Sequence, residues 1–230
     1  TDLNAGEAYV HQHVDIEGDI VAALRLVGDV QQADPFGLAQ RALLLRELLA
    51  LPRPPPRSRE RRARAVGRRH SKRRDRQVVQ HHYDVGNDFY QLFLDRDLVY
   101  SSAYFAPGDR EESALQRDDL LDQAQQRKLE LLCRKLDLRP GVTLLDIGCG
   151  WGSLVIHAAQ HFGARALGVT LSERQARRAR ERVAAAGLAD RVEIRVQDYR
   201  DVMGRFEAVA SVGMFEHVGA DQFATYFETV

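Results

Sequence analysis

The chain of 230 residues has a formal net charge of zero, and 44% of its residues are hydrophobic. This is enough for one full domain with an appendage, and no apolar run approaches the roughly 18–20 residues that cross a bilayer. No signal peptide is visible, and two cysteines, Cys133 and Cys149, exclude a disulfide framework. The composition therefore favours a protein of the reducing cytoplasm.

The first 77 residues predict an appendage in two parts. Residues 1–51 predict a small N-terminal helical domain, whose first helix begins at Gly18 or Asp19. Residues 52–77 predict a basic, Pro/Arg-rich linker, with twelve Arg or Lys against two acids. Its three consecutive prolines cannot be helical. So basic a segment fits a solvated tether, a contact with anionic lipid, or nucleic acid, although it lacks the aromatic side chains that stack on bases.

Residues 78–230 predict the main domain. The segment that follows the linker contains His81 and His82, but no Cys or His partners stand at ligand spacing, so no metal site is expected. A capping-box pattern at 109–112 begins a long helical stretch, which Pro140 and Gly141 end. An apolar strand, Val142–Ile147, comes next.

A glycine-rich loop after this strand is the first sign of function. Its glycines, Gly148, Gly150 and Gly152, follow the pattern G-x-G-x-G, and a helical pattern begins directly after them. A dinucleotide loop instead has G-x-G-x-x-G to seat a pyrophosphate. Asp146, two residues before the first glycine, would repel a pyrophosphate but suits the positive charge of S-adenosylmethionine. The alternative is a turn that merely lets helix and strand approach each other.

The remaining sequence predicts strands at 164–169, 192–196 and 206–212, with a helix at 172–186. Strands alternating with helices predict an α/β fold with a doubly wound, mainly parallel, Rossmann-like sheet. Ligands of such sheets lie beyond the carboxyl ends of the strands. The glycine loop, Thr170, Asp198 and Glu216 all fall at that edge. Structural alternatives remain for two candidates: Gln175 fits a capping box with Ser172, and Asp198 fits a strand cap.

Several segments, taken in order, resemble one known family. They are His82–Tyr90, Tyr100–Phe105, Asp146–Gly152, Gly168–Ser172, Gln197–Asp201 and Ser211–Gly219. Together they resemble the cyclopropane-fatty-acyl-phospholipid synthases and related lipid C-methyltransferases. The resemblance covers nearly everything from residue 81 to the end, and also part of the N-terminal domain, from Gly6 to about Leu26. The glycine loop alone indicates only a methyltransferase, whereas the first and last segments are far more specific.

The resemblance implies the chemistry. An enzyme of this kind transfers the methyl group of S-adenosylmethionine to the double bond of an unsaturated phospholipid acyl chain. A carbocation results, and loss of a proton to a bound bicarbonate closes a cyclopropane. The implied catalytic residues are Glu216, Ser102, His82 and Tyr83, with Tyr83, Tyr104 and Phe215 as aromatic faces for the cation. The implied cofactor-binding residues are Tyr100, Ser101, Asp146, Gly148, Gly150, Trp151, Thr170, Leu171, Gln175, Asp198 and Tyr199.

The sequence departs from the family pattern in two ways. Ser102 stands where the family usually has Cys, which leaves open a methylene- or methyl-branched product formed through the same cation. In addition, the sequence ends in the helix after the fourth strand. We therefore expect the methyltransferase domain, residues 78–230, to lack its C-terminal strands, and residues 1–230 alone to show no turnover.

The expected partners follow from the resemblance and from the charge distribution. An unsaturated phospholipid is the expected substrate, and the basic linker is expected to bind the inner face of the membrane, with the protein cytoplasmic and peripheral. A homodimer through the N-terminal part is left open. Two other functions are also left open: methyl transfer to a soluble small molecule, and, less favoured, nucleic-acid binding through the linker.

Overall fold

The computed structural model describes residues 9, 15–22, 25, 46, 67, 70–83, 86–107, 109 and 117–230. Backbone contacts divide the chain into two units, residues 1–60 and 61–230. In the first unit, Asp19 caps helical residues 20–22, since its carboxylate accepts from the Val21 amide at 2.8 Å. Most of the predicted N-terminal domain, the linker before residue 67 and most of the 109–112 capping box lie outside the described residues.

The second unit is built on four parallel strands. They are β1 (Thr143–Ile147), β2 (Arg165–Thr170), β3 (Val192–Val196) and β4 (Ala208–Ser211). Their order across the sheet is β3-β2-β1-β4, and each neighbouring pair is parallel. The predicted class, an α/β fold with a parallel sheet, is confirmed, and the predicted strand boundaries differ from the observed ones by at most two residues.

Six α-helices are described in this unit: α1 (Lys72–Tyr83), α2 (Asn87–Gln91), α3 (Arg117–Lys135), α4 (Ser153–Phe162), α5 (Glu173–Ala185) and α6 (Phe223–Thr229). Helix α1 begins inside the segment that composition assigned to the linker. Short 3₁₀ turns follow β3 and β4, at 199–201, 215–217 and 220–222. Within the described ranges, no helix combines the length and the apolar character needed to cross a bilayer.

The side chains of β1 alternate between two apolar clusters, as strand geometry requires. Leu144 faces the larger cluster, to which α3, α4 and α5 contribute Leu129, Val155 and Ala179. Leu145 and Ile147 face a smaller cluster, which is covered by residues after β3 and β4. Helices α3, α4 and α5 therefore pack on one face of the sheet. That arrangement leaves the carboxyl ends of the strands open to the segments that form the site.

The glycine loop turns sharply at the end of β1. Gly148, Gly150 and Gly152 have φ values of 81°, 55° and 85°, in the left-handed region that side chains with a β-carbon rarely adopt. The amides of Gly148 and Cys149 both donate to the Val169 carbonyl, at 2.9 and 3.0 Å. These bonds hold the loop over the end of β2. The glycine pattern in the sequence is thus explained by the positive φ values that the loop requires.

Arg182 of α5 connects the glycine loop to the segment before Tyr100. Its guanidinium donates to the carbonyls of Trp151 and Asp97, at 2.9 and 2.7 Å, and to the Asp97 carboxylate at 2.7 Å. It also donates to the Ser153 hydroxyl at 3.0 Å. One largely buried cation therefore satisfies acceptors from two segments that are more than fifty residues apart in sequence.

Replacing Arg182 tests this connection. Arg182→Leu should lower the free energy of unfolding by about 2–4 kcal/mol, because it leaves several part-buried acceptors without a donor. Arg177→Leu is the matched control, since Arg177 is exposed on the same helix, and it should change stability by less than about 0.5 kcal/mol. Urea unfolding followed by circular dichroism measures both variants, and equal effects would contradict the role given to Arg182.

Candidate functional site

A cavity of about 790 Å³ lies at the carboxyl ends of the strands. The glycine loop and α1 form parts of its wall, together with the turns that follow β2, β3 and β4. All the residues predicted as catalytic or cofactor-binding line it: His82, Tyr83, Tyr100, Ser101, Ser102, Asp146, Gly148, Gly150, Trp151, Thr170, Leu171, Gln175, Asp198, Tyr199 and Glu216. Residues spread over more than 130 positions of the sequence thus share one space.

Asp146 is a buried acid on the cavity wall. The residue is 3% exposed, and burial alone raises the pKa of its carboxyl to about 7. None of the described residues donates a hydrogen bond to this carboxyl. A charged carboxylate is costly in such a position unless a cation joins it. The Asp146 carboxyl therefore favours binding of a ligand that is positively charged or donates a hydrogen bond.

The glycines of the loop leave space beside this acid. A β-carbon at Gly150 would meet no protein atom within 4 Å, although the residue lines the cavity. At Gly148, a β-carbon would approach Met214 to 3.2 Å. Gly150 therefore offers bare backbone to a ligand, whereas Gly148 is also needed for close packing.

Aromatic rings form another part of the wall. Trp151 is 2% exposed, and its indole N–H donates to Asn87 at 2.9 Å. Tyr83 packs edge-on against Trp151, and Tyr90 packs edge-on against Tyr100. Burial raises the pKa of Tyr83 to about 12, so its hydroxyl stays protonated at neutral pH. His82 is exposed at the edge of this group, with its Nε2 3.5 Å from the Tyr100 hydroxyl.

The end of β2 presents a polar pair. The Thr170 hydroxyl donates to the Gln175 side-chain oxygen at 2.8 Å, and Gln175 also hydrogen-bonds to Tyr83. Ser172 caps α5, since its hydroxyl accepts from the Gln175 amide at 3.3 Å. However, the Ser172 amide donates to Thr170 at 3.2 Å and not to the Gln175 side chain. The capping-box interpretation of Gln175 is therefore wrong in its second half, and this side chain belongs to the cavity.

Asp198 is engaged by an arginine that the sequence did not single out. Its carboxylate accepts from Arg200 Nε at 2.8 Å and from Nη2 at 2.7 Å. Burial alone would raise the pKa of Asp198, but these hydrogen bonds outweigh burial and lower it. The Arg200 guanidinium also donates to Asp75 of α1 at 3.0 Å. Asp198 therefore lines the cavity as a paired carboxylate, beside the half-buried ring of Tyr199.

Helix α1 is held over the cavity mainly by polar contacts. None of its residues is fully buried. Besides the Asp75–Arg200 pair, Lys72 forms an ion pair with Asp201, and the Arg200 guanidinium donates to the His70 carbonyl at 3.2 Å. The His70 ring also packs closely on Gly219, where a β-carbon would lie 2.5 Å from the ring Nε2.

Glu216, a predicted catalytic residue, lies near Gly213 together with Ser101, which was predicted for the cofactor. A β-carbon at Gly213 would lie 3.6 Å from Ser101 Cβ and 3.9 Å from Glu216 Oε1. Ser102 is exposed and lines the same cavity. Two predicted aromatic faces are absent from this wall: Tyr104 is exposed, and Phe215 stacks on Phe223 with ring centres 4.6 Å apart.

The segment that carries Ser101 is tightly fixed. Leu98 has a φ of 58°, which is strained for a residue with a β-carbon, and its side chain is buried beside Tyr90 and Trp151. The Asp95 carboxylate stabilises this turn by accepting from the Val99 amide at 2.6 Å. From α3, the amide of Gln125 donates to the carbonyls of Val99 and Ser101.

Sequence reasoning missed three charged residues of the cavity wall. These are Lys128 on α3, Arg200 after β3, and Asp75 on α1. Arg200 lay within the Gln197–Asp201 motif but received no role of its own. Lys128 stands on the long predicted helix, and no local pattern marks it as part of a site.

Comparisons with known proteins agree with this geometry. Residues 70–230 match the family described as mycolic acid cyclopropane synthetase. A probable fatty acid methyltransferase of Pseudomonas putida is 43% identical over 223 residues, which are 96% of this chain and 49% of that protein. The cyclopropane-fatty-acyl-phospholipid synthase of Escherichia coli K12 is 44% identical over 160 residues, which are 70% of this chain and 38% of that protein. The chain thus spans about half or less of the length of these curated relatives.

Solved structures show the same fold. The crystal structure of mycolic acid cyclopropane synthase CmaA1, complexed with SAH and CTAB, matches with a TM-score of 0.59 and 35% identity. The match covers 67% of this chain and 51% of that chain. The resemblance inferred from the motifs is confirmed: this chain has the α/β methyltransferase fold and belongs to the mycolic acid cyclopropane synthetase family.

Proposed function

We propose that the protein transfers the methyl group of S-adenosylmethionine to the double bond of an unsaturated phospholipid acyl chain, giving a cyclopropane fatty acyl product. The observation that carries the proposal is Asp146, a buried acid on the wall of a cavity at the strands' carboxyl ends, to which no described residue donates a hydrogen bond. The family membership of residues 70–230 supports it independently.

The residues present fit this cofactor. When bound, S-adenosylmethionine supplies an electrophilic methyl group on a positively charged sulfur. Asp146 would compensate positive charge at the methionine end, and the bare backbone of Gly150 would admit it. The Thr170–Gln175 pair would hold the ribose hydroxyls in place of the acid that many related folds use. Asp198 and Tyr199 would flank the adenine.

The aromatic wall suits an acyl chain that becomes positively charged. A cation near an aromatic face is stabilised by the ring's quadrupole, more strongly where water is excluded. Tyr83 and Tyr100 would present such faces, and Tyr83 stays neutral because burial raises its pKa to about 12. A neutral tyrosine is a poor base, so it would stabilise the cation without removing its proton.

Removal of that proton would fall to the region around Gly213. Glu216 offers a carboxylate and Ser102 a hydroxyl on the same cavity wall. A carboxylate and a hydroxyl could together hold bicarbonate. Bicarbonate would supply a base that removes the proton without forming a lasting covalent bond to the cation. Ser102 in place of the usual Cys supports a second outcome, a methylene- or methyl-branched chain.

We further propose that the protein is peripheral to the inner face of the membrane. The basic segment 52–77 would attract anionic lipid, at about 1 kcal/mol for each basic residue near the surface. The exposed Lys72 and Arg73 extend this charge onto α1. Nucleic-acid binding through the same segment is the alternative in another class.

The pH dependence of cofactor binding tests the role of Asp146. With a pKa of about 7, the empty site is protonated below pH 7, and a cationic ligand must displace that proton. The affinity for S-adenosylmethionine should therefore rise by up to about tenfold per pH unit between about pH 5.5 and 7, then level off. Isothermal titration calorimetry measures the profile.

Asp146→Asn should weaken this binding and remove the rise with pH. Asp137→Asn is the matched control, because the Asp137 side chain is 85% exposed, and it should retain the wild-type profile. A wild-type affinity that is flat below pH 7 would count against the role of Asp146.

Replacing Glu216 tests the proposed chemistry. Glu216→Gln should reduce product formation by about 100-fold or more, while the affinity for S-adenosylmethionine changes little, because Glu216 acts on the proton and not on the cofactor. Glu228→Gln, an exposed change on α6, is the control and should behave like wild type.

The assay supplies vesicles of a mono-unsaturated phospholipid to residues 1–230 and to any longer form that the gene encodes. NMR of the product distinguishes a cyclopropane from a methylene branch, which have the same mass. Loss of cofactor binding in Glu216→Gln would show that Glu216 belongs to the cofactor site instead.

Sedimentation tests the membrane proposal. The protein should bind vesicles with anionic phospholipid more tightly than neutral vesicles, and raising the salt concentration should weaken this binding. DNA retention at the same salt concentration is the comparison. Retention by DNA without binding to anionic vesicles would favour the nucleic-acid alternative.

A further inference from the structure

Lys128 is a cation on the cavity wall that the proposed chemistry has not used. It projects from α3, and its ammonium donates to the Ser101 hydroxyl at 2.7 Å and to the Ser101 carbonyl at 3.2 Å. Both of these partners are neutral oxygens. Asp95 is the charged group that acts on Lys128, and it does so through space. A part-buried cation that bonds directly to no carboxylate among the described residues favours an anion in the cavity beside it.

The chemistry of the hydrogen bond fixes how Ser101 points. An ammonium group can only donate, so the Ser101 oxygen must accept from Lys128. The hydroxyl proton of Ser101 is then free for another acceptor. Since Gln125 holds the Ser101 carbonyl at 2.9 Å, the residue is fixed from α3 at both its backbone and its side chain. Ser101 therefore presents a polarised O–H to the cavity that it lines.

Burial lowers the pKa of Lys128 to about 8, so this side chain is still protonated in most molecules at pH 7. The opposite charge lies on the acid Asp146, which lines the same cavity. A zwitterionic amino acid would match this pair of side chains, with its positive groups toward Asp146 and its carboxylate toward Ser101.

We propose that Lys128 is a positioning residue that turns the Ser101 hydroxyl toward the carboxylate of the cofactor's methionine end and supplies the positive charge behind it. This inference rests on the proposed function, because it requires a ligand with an amino-acid end. It adds a recognition element for the part of the cofactor that does not take part in methyl transfer.

Two ligands separate this role from a structural one. S-adenosylhomocysteine and 5′-methylthioadenosine share the adenine, ribose and sulfur, but only the first has the amino-acid end. Lys128→Met should weaken binding of S-adenosylhomocysteine by about 10–100-fold, as expected for loss of a charge-assisted hydrogen bond. It should change the affinity for 5′-methylthioadenosine by less than about twofold. Lys128→Arg should recover part of the loss.

The control and the double variant complete the test. Lys135→Met removes an exposed lysine from the same helix and should leave both affinities unchanged. Ser101→Ala should reproduce most of the effect on S-adenosylhomocysteine, and adding Lys128→Met to it should cost much less than in wild type. Isothermal titration calorimetry measures all these affinities, and binding of 5′-methylthioadenosine reports that each variant is folded.

The outcomes are distinct. Equal losses for the two ligands, unchanged binding of S-adenosylhomocysteine in Lys128→Met, or fully additive effects in the double variant would overturn the role of Lys128 alone. If the wild-type protein bound neither ligand, the proposed function would fail, and this inference with it.

Discussion

The electrostatics of the cavity depend on a carboxyl group that is buried at the end of the central strand. Asp146 is fixed there because β1 lies between β2 and β4, and its position in the sheet cannot relax toward water. Burial favours the protonated form of this carboxyl and raises its pKa to about 7. Burial lowers the pKa of Lys128, since it favours the neutral form of the amine. Burial thus disfavours the charged form of both groups, and one ligand that carries both charges would compensate both of them.

Much of the site was predictable because it follows from strand topology. Parallel strands bring their carboxyl ends to one edge, so residues directly after them meet whatever their distance in sequence. Asp146, Thr170, Asp198 and Glu216 were identified by this argument, and all of them line the cavity. The glycine spacing was equally informative, because backbone positions with positive φ values favour glycine. The acceptor could only be inferred from the family resemblance.

Other contacts could not be predicted from the sequence, and they share a physical reason. Lys128, Arg182 and Asp75 act from helices, and their partners depend on how each helix is rotated and docked. Periodicity indicates which side of a helix is apolar, but it does not show which long polar side chain reaches a distant carbonyl. Gln175 shows the limit of a local pattern. The capping box offered a structural alternative for this residue, whereas the fold directs its side chain to Thr170 and Tyr83.

Trp151 gives the molecule a built-in optical probe. It is the sole tryptophan of the chain, and it lies inside the glycine loop with its indole bonded to Asn87. Light emitted on excitation of indole therefore originates at the cavity wall and nowhere else in the chain. A molecule that enters the cavity, or a movement of the segment around Asn87, would alter the colour or intensity of that emission. The state of the pocket can thus be followed in real time without attaching a dye.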